Sequence, residues 1–147
     1  MSITPITGSP NLPKFTYTAD ASVAFTKGFL AYRDTSTGEI KEATTTVGDV
    51  TNIEGIVAET VTTGASNPEI DLYQIVPGQL VIADCTNNTA VNQLNKAHLL
   101  TNGGTVNNTS THSADVNAIF IALAISGVAG DKKLVGRIAV PLGQVAA

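Results

Sequence analysis

Residues 49–58 read DVTNIEGIVA, and residues 115–124 read DVNAIFIALA. Asp49, Val50, Ile53 and Ala58 return as Asp115, Val116, Ile119 and Ala124 at a constant offset of 66. The same spacing carries Gly38 onto Gly104, and the Thr45 region onto the Thr111 region. Each half runs through one order: a hairpin with glycine, a Thr-rich loop, Asp-Val, an apolar strand, a loop, an alternating strand, then Pro-Gly or Pro-Leu-Gly. Neither half is long enough to cover both faces of its own apolar strand, so two copies are expected to fold together around a shared core. Two repeats are too few for a solenoid. A closed or sandwiched arrangement also removes exposed edges. The expected fold is therefore all-β: a small pseudo-symmetric β-barrel or β-sandwich with an extended N-terminal arm and little helix.

Composition points the same way. Thr occurs 20 times in 147 residues, and Val and Ile are frequent. Such β-branched side chains lose rotamer freedom in a helix and pack well on a pleated surface. A chain of this length buries roughly 68–70% of its unfolded surface on folding, and 43% apolar residues supply the material. Only 14% of residues are charged, against about 25% in ordinary soluble domains, and mean hydropathy is slightly positive. That balance suits a subunit that hides surface in an assembly.

The strands can be placed by alternation and punctuation. FTYT at 15–18 leads in, and GFLAYR (28–33) pairs with EIKEA (39–43) across DTSTG, where Gly38 supplies a positive φ. IEGIVAE (53–59) reads as a largely buried strand, and EIDLYQIV (69–76) alternates. Pro77–Gly78 turns the chain into QLVIAD (79–84). The stretch at 87–98 fits a short helix or an irregular crossing, and Asn102–Gly103 marks a hairpin. NAIFIALAIS (117–126) is apolar on both faces, as in a strand covered on both sides. KLVGRIAVPL (133–142) sets Leu134, Gly136 and Ile138 against Val135 and Arg137.

Residues 1–14 stand apart as an extended N-terminal arm, with 15–147 as a single β domain. Pro5, Pro10 and Pro13 withhold amide donors, and Gly8, Ser9 and Asn11 break the segment further. Ile3, Ile6 and Leu12 nevertheless give it apolar teeth.

Catalysis finds no foothold. His112, Ser113 and Asp115 are neighbours in one polar loop, whereas a triad is assembled across a fold beside an oxyanion hole. No Gly-x-Ser-x-Gly elbow exists. His98, His112 and a lone Cys85 do not make a zinc site, and Cys85, in a strand-like run, reads as a buried inert thiol. Asp49 and Asp115 suit turns that accept backbone amides, and Glu69 and Asp71 suit a solvated strand face. NNT at 87–89 and 107–109 reads as polar turn. The expectation is a non-enzyme with no cofactor and no metal.

Partners are narrowed as well. Net charge is −4 and the eight basic residues are scattered, with Lys132–Lys133 the one adjacent pair. A nucleic-acid surface needs clustered cations. The start of the chain lacks the cationic and apolar regions of a secretory signal, and no apolar run approaches a membrane span. Neither nucleic acid nor membrane is expected, and assembly in a cytoplasm is.

The order KGFLAYRDTSTGEIKEA, IEGIVAE, DLYQIVPGQLVIAD, NAIFIALAISGVAGDKKLVGRIAVPL resembles the capsid cement, or head decoration, proteins of tailed bacteriophages. The matching stretches are 28–43, 53–59, 76–84 and 118–142, most of the chain beyond the arm. The resemblance implies a β-barrel or sandwich, as a homotrimer, on the outside of the virion capsid. There it would lock neighbouring subunits of the major capsid protein against internal pressure. It further implies that the N-terminal arm grips the capsid, with Ile3, Pro5, Ile6, Leu12 and Phe15 as the contacting residues. An adhesion module of a head fibre or tail that recognises host glycans is the alternative, through the Thr- and Asn-rich loops at 35–51 and 105–115. Against it stand the absence of Trp and a total of seven Tyr and Phe.

Overall fold

A computed structural model describes residues 2–5, 13–20, 24–43, 53–61, 69–75, 79–108 and 120–138. The described residues are nearly all β and form two sheets, with a closed five-stranded barrel and additional strands. In the first half, β2 (Lys14–Thr18), β6 (Glu69–Gln74), β5 (Ile53–Val57), β3 (Leu30–Arg33) and β4 (Ile40–Glu42) pair antiparallel in that spatial order. A parallel bridge between Ala19 and Ile40 brings the two ends of this sheet together. In the second half, β7 (Leu80–Cys85), β11 (Lys133–Ile138), β10 (Phe120–Ile125), β8 (Ala97–Asn102) and β9 (Thr105–Asn107) follow the same order. Here Asp84 and Cys85 pair in parallel with Thr105 and Val106 to close the ring.

The halves repeat in topology, down to individual amides, but matching residues lie 67 apart at the entry to β3 and β8 (Gly28 and Asn95) and 65 apart in β5 and β10 (Val57 and Ala122), not at the 66 of the sequence match. Gly28 donates to Val57 O (2.9 Å), and Val57 donates to Phe29 O (2.8 Å). In the second barrel Asn95 donates to Ala122 O (2.8 Å), and Ala122 donates to Lys96 O (3.0 Å). Gly28 (φ 86°) and Asn95 (φ 58°) both adopt the left-handed backbone that this entry into a strand demands. Registers agree too: Ala31, Gly55 and Gln74 lie side by side in one barrel, and His98, Phe120 and Ile138 in the other.

The turns follow their sequence chemistry. Gly38 (φ 76°) donates to Asp34 O at 2.7 Å and closes the β3–β4 loop. At the β8–β9 hairpin the Asn102 side chain accepts from the Gly104 amide (2.9 Å). Between β7 and β8 the ambiguous stretch forms a single 3-10 turn, Val91–Gln93, pinned by Asn108, whose amide nitrogen donates to Asn87 O.

Burial alternates along the walls. In β11, Leu134, Gly136 and Ile138 face inward while Lys133, Val135 and Arg137 do not. The expected shared core is divided in two. One cluster (Ala19, Phe25, Ala31, Ile40, Val57, Ile70, Leu72) lies wholly within the first barrel. The other fills the second barrel and continues onto Leu30, Ile53, Ile56 and Tyr73 of the first. Each such large side chain, fully buried, is worth roughly 1.5–3 kcal/mol. The junction is tight: the Leu30 amide donates to Gly103 O (2.7 Å), and a Cβ on Gly103 would stand 2.8 Å from Ala43 O.

Candidate functional site

The arm expected to reach outward is in part a strand of its own chain. Ile3–Pro5 forms β1 and pairs antiparallel with β7, setting Ile3 against Ala83, Thr4 against Ile82 and Pro5 against Val81. Proline is tolerated there because β1 lies at the margin of the sheet. Ile3 is 1% exposed and belongs to the second barrel's core. Its amide donates to Gly28 O (2.8 Å), so β1 is wedged between the two halves. Ser2 sits so close to Gly28 that a Cβ there would meet Ser2 Cβ at 2.5 Å.

This corrects the assignment of Ile3 as a capsid-gripping residue, since its side chain is spent on internal packing. Pro5 is half-buried in the same strand. Ile6 and Leu12 lie outside the described residues. Phe15 is on β2 of the first barrel, 55% exposed. Beside β1 a cleft of about 240 Å³ is lined by Ile3, Pro5, Lys27, Ile56 and Tyr73.

A carboxylate latches the N-terminal strand. Asp84 accepts from the Ser2 amide (2.7 Å) and from Lys133 Nζ (2.8 Å). Partial burial works against its charge, but the Lys133 ammonium and the Ser2 amide outweigh it and hold the carboxyl below its usual range. Elsewhere Lys41 reaches both Asp34 (2.7 Å) and Asp20 (3.5 Å), tying β4 to the end of β2 near the closing bridge.

The residues weighed for chemistry have structural roles where they are described. His98 is fully buried in β8, and its Nε2 donates to Gln93 O (2.9 Å). Cys85 is buried, which pushes its thiol up to about 12. Asp71 accepts from the Thr16 hydroxyl (2.6 Å) across the β2–β6 pair. Thr89 of the first NNT is buried and donates to Asp131 O. Asp49, His112, Ser113 and Asp115 lie outside the described residues. Among the described residues no three metal-ligating side chains cluster, and no helix is long and apolar enough to cross a membrane.

What sequence reasoning missed is a surface. β10 was expected to be covered on both faces, yet only its inner face is. Phe120 and Ala122 are buried, Ile121 is half-buried, and Leu123 stands 40% exposed. Its counterpart β5 is buried along nearly its whole length, because the second barrel lies over its outer face. The signal was present in the sequence as a strand apolar on both sides; which side lacks a cover needs the three-dimensional arrangement. No family model and no curated protein matches the chain.

Proposed function

We propose that the chain is a structural virion protein: a capsid cement or decoration protein that binds the outside of a phage head as a homotrimer. There it staples neighbouring subunits of the major capsid protein. One observation carries the proposal. The stretches that resemble the decoration family, 28–43, 53–59, 76–84 and 118–142, contain β3, β4, β5, β10 and β11 and nearly all of β7. The likeness therefore rests on barrel walls rather than on interchangeable loops.

Physical features support the same role. Two barrels joined through the one core cluster that spans both make a body suited to bearing load. A net charge of −4 disfavours residence beside packaged DNA. The arm beyond β1 carries Ile6 and Leu12, which suit pockets along an accepting strand edge. Ordering backbone costs about 1–2 kcal/mol per residue, so one arm is a weak tether. Three arms on one trimer raise avidity by ~10²–10⁴ through effective concentration.

The test is co-sedimentation with purified heads. The double variant I6D/L12D changes no described residue and should melt like the native chain while losing head occupancy. Native-level occupancy by that variant removes the arm from the mechanism. Failure of the native chain itself to bind heads removes the cement role.

A further inference from the structure

The contact between the two barrels is made of unlike faces. From the first barrel comes the outer row Leu30–Ile56–Tyr73, one residue from each of β3, β5 and β6 in register. This row joins the second barrel's core, where Val81 at the head of β7 is 2% exposed. Because the barrels repeat, each half of this contact has a counterpart elsewhere on the chain. The row equivalent to Leu30–Ile56–Tyr73 is Ala97–Ile121–Arg137, in the same register on β8, β10 and β11. The residue equivalent to Val81 is Phe15, counted back from the matching parallel bridges of Ala19 and Cys85.

Both counterparts are partly open: Ala97 and Ile121 are half-buried and Arg137 is exposed. Phe15 is 55% exposed, and Leu123, next to the Ala97–Ile121 row, is 40% exposed. Inside one chain, then, one such contact exists, with Ile3 and Pro5 of β1 set beside Ile56 and Tyr73, together with two exposed halves of a second. Faces of this kind on a chain with so few charges are interaction surfaces.

We infer that a second copy of this chain covers them. The outer face of β8, β10 and β11 of one copy docks against the Phe15 end of the next copy's first barrel, repeating between chains the contact that joins the barrels within one. Such a head-to-tail contact is heterologous, so it closes into a ring when the rotation permits and extends otherwise. It supplies the cover that the doubly apolar β10 lacks. It stands independently of the capsid reading, since it follows from the repeat and its two exposed ends.

Mixing separates this contact from any symmetric one. L123R spoils the donor face and F15D the acceptor end, and both sites are exposed enough for the fold to persist. By light scattering the native chain should be oligomeric and each variant alone monomeric. An equimolar mixture should give dimers and nothing larger, because one intact donor face then meets one intact acceptor end. A native chain that stays monomeric as its concentration is raised overturns the inference. So does either variant assembling like the native chain, or a mixture that stays monomeric. If circular dichroism shows either variant misfolded, L123T and F15S replace them with the same expected pattern.

Discussion

In the first barrel Gly55 pairs with Gln74 and Val57 with Leu72; at the matching places in the second, Phe120 pairs with Ile138 and Ala122 with Gly136. Volume has moved from one strand to its neighbour. A Cβ on Gly55 would strike Tyr73 O at 2.4 Å and Leu72 Cβ at 3.1 Å. A Cβ on Gly136 would strike Ile121 O at 2.1 Å and the Phe120 ring at 2.6 Å. At the first of these pairs the extra bulk is Phe120 on β10, and at the second it is Leu72 on β6. The lesson is that backbone path and register are kept by pattern, while interior volume is conserved only as a sum over facing residues.

The sharpest way to break that equivalence is to add volume where the other barrel has it. Gly136→Leu copies Leu72 into a site already filled by Phe120, with backbone oxygen in the way. Overpacking of this kind costs typically about 1–3 kcal/mol and sometimes more; blocked by a carbonyl, it should fall at or above the upper end. Chemical denaturation measures it.

Next comes removal of the large anchors. Phe120→Ala and Phe25→Ala should each cost about 3–5 kcal/mol, but with different reach. Phe120 belongs to the cluster that spans both barrels, whereas Phe25 belongs to the one confined to the first. Hydrogen exchange should therefore rise in both barrels for Phe120→Ala and mainly in β3, β4 and β6 for Phe25→Ala. Equal patterns from the two variants would contradict the divided core.

A smaller contrast lies at the two left-handed residues. Asn95→Ala should cost less than about 1 kcal/mol, since asparagine already carries the Cβ and only its better tolerance of that backbone is lost. Gly28→Ala should cost more, since the new Cβ also strikes Ser2 and unseats β1. Thermal melts of the two variants compare them directly.

The smallest effect concerns the Asp84 latch, which the first barrel lacks. Its carboxyl titrates in the folded chain below the ordinary 3.8, so its stabilisation is fully present above that pH and is lost as pH falls from there through the lower folded-state value. Asp84→Asn should lower stability at neutral pH by less than about 1 kcal/mol, as suits a partly solvated ion pair. The gap between native and variant melting temperatures should shrink below pH 3.8.

How much of this was legible in the sequence varied with distance along the chain. The β3–β4 and β8–β9 hairpins are local, so Gly38 and Asn102–Gly103 announced them. The repeat was visible through its Asp-Val and apolar strand, and alternation in β11 gave the inward set. Closure was expected in kind, as barrel or sandwich, but the residues that make it were not legible, because Ala19 meets Ile40, and Cys85 meets Val106, through parallel pairs that no neighbouring residue specifies. β1 was hidden for another reason: three residues that include a proline read as part of an outward-reaching arm, and Ile3 becomes core only when β7 is beside it. Of the surfaces, Phe15 was picked out for its position near the arm, and Leu123 was passed over because its strand looked buried on both sides.

The seating of β1 sets an order on biosynthesis. Ser2 and its Asp84 latch are 82 residues apart, so the segment leaves the ribosome long before its seat does. At ~5–20 residues per second that delay is on the order of ten seconds. Through that interval Ile3 has no β7 to pair with, and all five strands of the first barrel are synthesised before the chain's own beginning can be fastened down.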